Sequence, residues 1–169
     1  MNKRSAYYLF LKRYLGWFVR PIKSKIIYVR KHKHMLVDFQ NFRETVISCK
    51  GENPNLPCIY YLGITAHSNL GDLAQHYCIL KWIKENYPEY YLFKVESDAV
   101  CDKRVEFFDF LKRYFVKDRD IIIFQSGYCT QDLGGNHPLM HFLVIDAMPD
   151  AKILMMPQTV FFQHEENAF

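Results

Sequence analysis

Long apolar runs and closely spaced cysteines are both missing from this 169-residue sequence. No stretch reaches the roughly 20 uninterrupted apolar residues of a membrane-spanning helix, and the early apolar runs are too broken by charges to form the core of a signal peptide. The five cysteines are odd in number and far apart, which excludes the paired motifs of zinc and redox sites. We therefore predict a cytoplasmic protein with reduced, structural cysteines.

Acidic residues are missing from one part of the chain. Residues 1–37 contain ten Lys and Arg but no Asp or Glu, whereas all eighteen acids lie in residues 38–169 beside the other twelve Lys and Arg. The chain therefore has a basic head and a body with a net charge of −6. Because 50% of the residues are apolar, the body is long enough to bury a core of ordinary size.

The basic head interleaves its cations with aromatic residues such as Tyr7, Tyr14 and Trp17, and Pro21 is expected to interrupt its helix. An amphipathic helix of this kind would suit the headgroup layer at the inner face of an anionic membrane. The same residues could instead pack on the body and leave their lysines solvated. Nucleic acid is a third alternative that we predict against, because no recognisable binding motif is present and the body is acidic.

From residue 58 onward, short apolar runs alternate with helical patterns. Each run is too short for a helix and predicts a strand, and the runs are residues 58–64, 90–96, 120–126 and 151–157. Strands joined by crossover helices predict an α/β fold with a doubly wound, Rossmann-like parallel sheet and ligands beyond the carboxyl ends of the strands. The predicted domains are a basic amphipathic helical segment over residues 1–50 and a Rossmann-like domain over residues 55–169.

Apolar residues at steps of three and four predict the helices between these strands. The first helix is expected to end before Pro88 and to bury one face, formed by Leu73, Tyr77, Leu80, Ile83 and Tyr87. The helix over residues 139–148 is apolar enough to be buried on more than one side.

Polar residues and a glycine follow the first predicted strand and open its helix. Asn69, Gly71 and Asp72 stand where backbone N–H groups and the helix dipole favour an anion or a hydrogen-bonding ligand. Gly71 would allow a tight turn and a close approach of the ligand. A carboxylate suits a bare phosphate poorly, so Asp72 is expected to meet hydroxyls. The alternative is that Asn69 or Asp72 caps the helix and Gly71 turns the chain, with no ligand at all.

Two later loops carry similar residue types. The third predicted strand ends in a Gly-rich loop over residues 126–138, and the fourth runs into residues 156–162, where Gln158 and Thr159 offer uncharged donors and acceptors. The titratable candidates of the three loops are His67, Asp72, Asp132 and His137. His141 follows His137 at helical spacing, but no carboxylate pattern accompanies the pair, so we predict no metal site, a capping His137 and a packed His141.

Three pieces of sequence stand in order, each after a predicted strand: HSNLGD (67–72), SGYCTQDLGGNHP (126–138) and MPQTVFF (156–162). Together they resemble the amino-terminal half of the polysaccharide pyruvyl transferase family over residues 55–169. One departure lies in the second piece, where Asp132 follows a Tyr-Cys-Thr-Gln run and the family usually has a glycine run followed by Asn, a hydrophobe, Gly and Asp.

The resemblance implies transfer of a carboxyethylidene group from phosphoenolpyruvate, the co-substrate, to two hydroxyls of a hexose in a surface or extracellular polysaccharide, with no other cofactor. It also implies a glycosyltransferase-B-type architecture with the substrates between two domains. On this basis Asp72 and Asp132 are expected to be catalytic, and the expected substrate-binding residues are His67, Asn69, Gly71, Gly127, His137, Gln158 and Thr159. The cations that hold phosphoenolpyruvate are expected in the second domain, before which this chain is expected to end.

Other functions remain open beside that of a truncated, inactive transferase. The chain could be a non-catalytic module that docks on a membrane or on a partner protein of polysaccharide synthesis through residues 1–37. It could also be a fragment of a sugar-nucleotide glycosyltransferase with the same broad fold. The saccharide acceptor could be lipid-linked, which would fit a basic head at the membrane face. The oligomeric state is left open.

Overall fold

A computed structural model describes the backbone of residues 3–64 and 69–167, with side chains described within these ranges from residue 21 onward, except those of Tyr128, Cys129 and Glu165. Its longer elements are α1 (Lys3–Glu52), β1 (Cys58–Ile64), α2 (Leu70–Asn86), β2 (Tyr91–Glu96), α3 (Ser97–Cys101), α4 (Phe107–Tyr114), β3 (Ile121–Phe124), β4 (Gly127–Gln131), α5 (Asn136–Ala147), β5 (Lys152–Met155) and β6 (Gln158–Phe161). Single turns of 3-10 helix occupy Lys103–Val105 and Glu165–Asn167.

Four strands form one parallel sheet in the order β2-β1-β3-β5. Tyr61 in the middle of β1 is paired with Lys94 of β2 on one side and with Ile123 of β3 on the other. Ile123 is paired in turn with Leu154 of β5. All strands predicted from the sequence are therefore present, and the α/β fold with a doubly wound, Rossmann-like parallel sheet is confirmed.

Both faces of this sheet are covered by helices. On one face, Ile79 and Ile83 of α2 pack against alternate strand residues, namely Ile59, Tyr61, Ile121 and Ile123. On the other face, the ring of Phe93 lies 5.3 Å from Tyr60 and 5.9 Å from Phe42 of α1. Burial on both sides explains why β1 and β3 are continuous apolar runs rather than alternating ones.

The buried face of α2 differs in part from the predicted one. Leu73 and Tyr77 are 47% and 69% exposed, whereas Ile79 and Ile83 are buried. Counting back from Ile83 in steps of four and three, the stripe that faces the sheet passes through Ile79 and His76 to Asp72. The prediction is confirmed for Leu80, Ile83 and Tyr87, which pack in the core on this face. It is wrong for Leu73 and Tyr77, because these exposed apolar residues share the spacing of the buried ones. Polar residues therefore continue the buried stripe toward the start of the helix.

The prediction that α5 is buried on more than one side is also wrong. Met140, His141 and Val144 are buried, but Leu139 and Phe142 are 45% and 68% exposed. The helix is apolar all round, and only one face of it is covered by the described part of the chain.

Helix α1 runs through Pro21 without a break, so the predicted interruption is wrong. Pro21 is exposed, and water can therefore bind the carbonyl oxygen that loses its helical donor. Two compact units are distinguished, residues 1–37 and residues 38–169. The predicted domain limits at residues 50 and 55 stay predictions. Among the described residues, no helix is both long and apolar enough to cross a bilayer.

A second, two-stranded parallel sheet pairs β4 with β6, and neither strand was predicted. Gly127 is paired with Gln158, and Thr130 with Val160. Each strand directly follows a strand of the main sheet, since β4 continues from β3 and β6 from β5. Two segments that were predicted to be loops therefore contain strands, and the small sheet that they form lies beyond the carboxyl edge of the main sheet.

A buried ion pair joins α1 to the opposite, amino edge of the main sheet. The Lys50 ammonium nitrogen lies 2.9 Å and 3.0 Å from the two carboxylate oxygens of Asp120, and the two side chains are 6% and 0% exposed. The same carboxylate accepts hydrogen bonds from the backbone N–H groups of Cys58 at 3.0 Å and Val116 at 2.9 Å. Lys50 also donates to the carbonyl oxygen of Leu56 at 2.9 Å. Every charged atom is thus hydrogen-bonded, as burial requires.

Replacing Lys50 tests how far the fold depends on this pair. We expect Lys50→Met to lower the free energy of unfolding by about 3–5 kcal/mol, because the Asp120 carboxylate stays buried without its cation. Urea unfolding at neutral pH, followed by circular dichroism, measures the change.

The matched control is Lys81→Met, which removes a cation from an exposed pair with Glu85 at 3.8 Å. Its expected effect is below about 0.5 kcal/mol. A loss for Lys50→Met as small as that of the control would contradict a structural role for the buried pair.

Candidate functional site

The site is built where the parallel strands of the main sheet end. β1 leads into α2, and β3 and β5 lead through short connections into β4 and β6. The first turn of α2 and the chain after β3 and after β5 therefore lie toward the same edge, where ligands bind in sheets of this kind.

Asn69 caps helix α2. Its side-chain oxygen accepts a hydrogen bond from the Gly71 N–H at 3.1 Å, and its backbone oxygen accepts one from the Leu73 N–H at 3.0 Å. The capping alternative is therefore confirmed for Asn69. The predicted tight turn at Gly71 is wrong, because Gly71 lies in the first turn of the helix and an added Cβ would approach only the Asn69 side chain, at an ordinary 3.6 Å.

Asp72 begins the sheet-facing stripe of α2 and is half-buried. It lies in the first turn of the helix, where the helix dipole favours a negative charge. The carboxylate is thus placed at the carboxyl edge of the sheet, one turn before His76. This is the position in which the sequence predicted a hydroxyl-binding acid.

His76 is a candidate that the sequence reasoning missed. Its Nδ1 lies 3.3 Å from the Tyr61 hydroxyl, and the two rings are stacked with centroids 5.5 Å apart. Burial lowers the pKa of His76, while the neighbouring Gln125 side chain opposes that shift and Lys94 adds to it. The imidazole is therefore neutral at neutral pH. Its spacing of four residues from Asp72 was the signal that could have identified it.

The side chain of Gln158 is hydrogen-bonded to the chain just after β3 and just after β5. Its side-chain nitrogen donates to the carbonyl oxygen of Gln125 at 2.7 Å and to that of Met156 at 2.8 Å. Its side-chain oxygen is buried and has no hydrogen-bond partner among the described residues. Thr159, the next residue, is exposed on β6. The binding roles of Gln158 and Thr159 remain predictions.

Gly127 opens β4 in a backbone conformation that favours glycine. Its φ of 136° lies in the region that other residues rarely adopt. Its N–H donates to the carbonyl oxygen of Pro157 at 3.3 Å, across to the chain after β5. Gly127 therefore shapes the start of the small sheet, and its predicted contact with substrate is not tested by this geometry.

Asp132 holds the last described turn of the chain. Its carboxylate accepts hydrogen bonds from the N–H groups of Gln163 at 2.7 Å and His164 at 3.0 Å, and from the Asn167 side chain at 3.0 Å. These donors lower the pKa of Asp132 to about 2, so it is ionised. An acid this strong is poorly matched to proton donation near neutral pH. The catalytic role predicted for Asp132 stays a prediction.

His137 lies close to the end of β1. An added Cβ on Gly63, whose φ is 84°, would stand 3.4 Å from His137 Nδ1 and 2.8 Å from the end of Met140. Gly63 is therefore required for α5 to approach β1. Nothing in the sequence indicated this requirement, because Gly63 stands within an apolar run. The predicted capping by His137 is wrong, because Gly135 precedes α5 as its N-cap and His137 is already in the helix.

His141 is packed, as predicted. Its ring stacks on Phe124 with centroids 4.4 Å apart, and its Nε2 is buried without a hydrogen-bond partner in the described part of the chain. Burial first, and the nearby His137 second, lower its pKa to about 4.

The structure thus separates the predicted residues into groups. Asp72 lies on the α2 side of the sheet with His76, whereas His137 lies on α5 with His141, and Asp132 is bound to the last described turn. His67 lies outside the described residues. Over residues 3–64 and 69–167, no three His, Cys, Asp or Glu side chains are grouped so as to hold a metal ion.

Two comparisons relate this chain to known proteins. A family model described as polysaccharide pyruvyl transferase matches residues 69–168, from the cap of α2 onward. General stress protein 30 of Bacillus subtilis (strain 168) is 27% identical over 109 residues, which are 64% of this chain. The chain spans only 30% of the length of that relative.

The pH dependence of stability tests the burial of His141. Its pKa is about 4 in the folded chain and 6.5 when solvated, so the unfolded chain binds the extra proton between those values. Stability is therefore full above pH 6.5 and is lost as the pH falls toward 4, by about 3 kcal/mol at most. Asp132 adds only a small slope near the lower end of this range, because its pKa is about 2 in the folded chain and 3.8 when solvated, so most of its loss lies below pH 4. Urea unfolding across this range measures the slope.

His141→Phe is expected to flatten much of this dependence, because the ring can still stack on Phe124 but binds no proton. His164→Gln, at an exposed histidine, is the control and is expected to leave the slope unchanged. An unchanged slope in His141→Phe would show that another group is responsible.

Proposed function

This chain belongs to the polysaccharide pyruvyl transferase family, and on that premise we propose that it forms the sugar-side wall of a site in which pyruvate passes from phosphoenolpyruvate to a hexose. The product is a pyruvate ketal on a surface or extracellular polysaccharide. The observation that supports this most is Asp72, a half-buried carboxylate at the carboxyl edge of the sheet and within the family-matched residues.

The chemistry of the edge suits hydroxyls better than phosphate. A carboxylate accepts hydrogen bonds from two hydroxyls at once, whereas it repels a phosphate group. His76 in the next turn is neutral and adds no charge that would favour an anion. We therefore assign Asp72 to the hexose and not to phosphoenolpyruvate.

The transfer requires a base, an acid and cations, which different residues would supply. Two sugar hydroxyls lose their protons as their oxygens form bonds to the central carbon of phosphoenolpyruvate. The terminal enol carbon gains one of these protons, and the bond from the central carbon to the phosphate oxygen breaks, so that phosphate leaves with the other proton. Asp72 is proposed as the base that takes a hydroxyl proton. Asp132, with a pKa of about 2, does not suit the acid that protonates the enol carbon. Cations that hold the carboxylate and phosphate of phosphoenolpyruvate are proposed to come from a second domain.

A non-catalytic role is the second candidate. In that role the same edge would bind a saccharide without transferring pyruvate to it, and the chain would act as a docking module of polysaccharide synthesis. Hexose binding at Asp72 is common to both candidates, whereas phosphate release from phosphoenolpyruvate belongs to the first alone.

Binding of simple hexosides tests the assignment of Asp72. We expect methyl hexosides, titrated into the chain and followed by amide chemical shifts, to perturb the first turn of α2. Asp72→Asn should weaken the binding about ten-fold or more, because a charged acceptor is lost from a partly buried site.

Glu85→Gln, which removes an exposed carboxylate at the far end of the same helix, is the matched control and should bind as the parent does. If no hexoside perturbs the first turn of α2 while phosphoenolpyruvate does, the sugar-side assignment is wrong.

A further inference from the structure

An exposed aliphatic stripe runs along the described part of the basic head. Ile22, Ile26, Val29 and Leu36 are 61%, 48%, 57% and 40% exposed. Their spacing of four, three and seven residues places them on one side of helix α1. Lys33 occupies the remaining position of this stripe, between Val29 and Leu36. We call these five residues the head stripe.

Cations border the head stripe on both sides. At 100° per residue, Lys25 lies on one flank and Arg30 and Lys23 on the other. Acids are absent from all of residues 1–37, so nothing in the head itself neutralises these charges. The stripe therefore combines aliphatic side chains that water solvates poorly with a dense positive charge.

We infer that the head stripe binds the surface of an anionic lipid bilayer, with α1 lying in the plane of the interface. The aliphatic side chains enter the boundary between headgroups and acyl chains. The long Lys and Arg side chains on the flanks, and Lys33 within the stripe, extend to the anionic headgroups. This inference does not depend on the proposed transfer reaction.

Two other binding partners would match only some features of the head stripe. A second copy of the helix would match the spacing, which is that of a coiled-coil seam, but it would bring two acid-free, basic segments together without compensating charges. A nucleic acid would neutralise the cations but would leave the four aliphatic side chains in water. An anionic bilayer accommodates both features at once.

Vesicle flotation with the full chain tests this inference. We expect the chain to float with vesicles of phosphatidylcholine and phosphatidylglycerol, and about ten-fold less with phosphatidylcholine alone, because the cations need an anionic surface. High salt should weaken the binding to the anionic vesicles.

Two variants with the same change in charge separate the stripe from general electrostatics. Ile26→Asp places a carboxylate in the stripe, whereas Tyr28→Asp places one on the opposite side of α1, where Tyr28 is 66% exposed. We expect Ile26→Asp to reduce binding about ten-fold and Tyr28→Asp to reduce it about two-fold or less. Far-ultraviolet circular dichroism verifies that both variants keep the helix content of the parent.

Several results would overturn the inference. Equal losses in the two variants would mean that charge alone is responsible, and no flotation at all would exclude the bilayer. A dimer in sedimentation that Ile26→Asp dissociates, without vesicle binding, would assign the stripe to a second copy. Binding to duplex nucleic acid but not to vesicles would assign it to that partner instead.

Discussion

The buried pair of Lys50 and Asp120 is the interaction on which the arrangement of this chain depends. It joins the last turn of α1 to the start of β1, through the Cys58 N–H, and to the residue before β3. A charge with 0% exposure is tolerated only when it is paired and hydrogen-bonded, so these elements must come together as a unit. Because this ion pair positions the amino-terminal ends of β1 and β3, it also determines where the carboxyl ends of these two strands lie.

As a consequence, the residues proposed for the site lie at the carboxyl edge of the sheet. The aliphatic stripe of α2 packs along the sheet and gives way to His76 and Asp72 near the start of the helix. The Gln158 side chain fastens the neighbouring strand ends at 2.7 Å from the Gln125 carbonyl oxygen. The parts that would touch a sugar are therefore held by the same packing and hydrogen bonds that stabilise the domain, and require no separate scaffold.

The strands were predictable because each is a short run of residues that favour strands, and their roughly even spacing indicated the parallel sheet. The small sheet was not, because pairing of Thr130 with Val160 depends on where two other strands end. The buried face of α2 was predicted only in part, since the sequence does not distinguish the exposed Leu73 and Tyr77 from the buried Ile83. The donors around Asp132 lie about thirty residues further along the chain, so its pKa of about 2 has no local signal. The site role of Asp72 stays a prediction, and His76, which contacts Tyr61 through the fold, had no signal beyond its spacing from Asp72.

Phosphate release from phosphoenolpyruvate tests the central claim most directly. The chain would be fused to the second domain of a longer member of the family and assayed with a panel of hexoside acceptors. We expect release that depends on an acceptor in the fusion, little release from the chain alone, and loss of release in the fusion carrying Asp72→Asn. Release at the parental rate from the folded Asp72→Asn fusion would mean that the carboxyl edge has no part in the transfer.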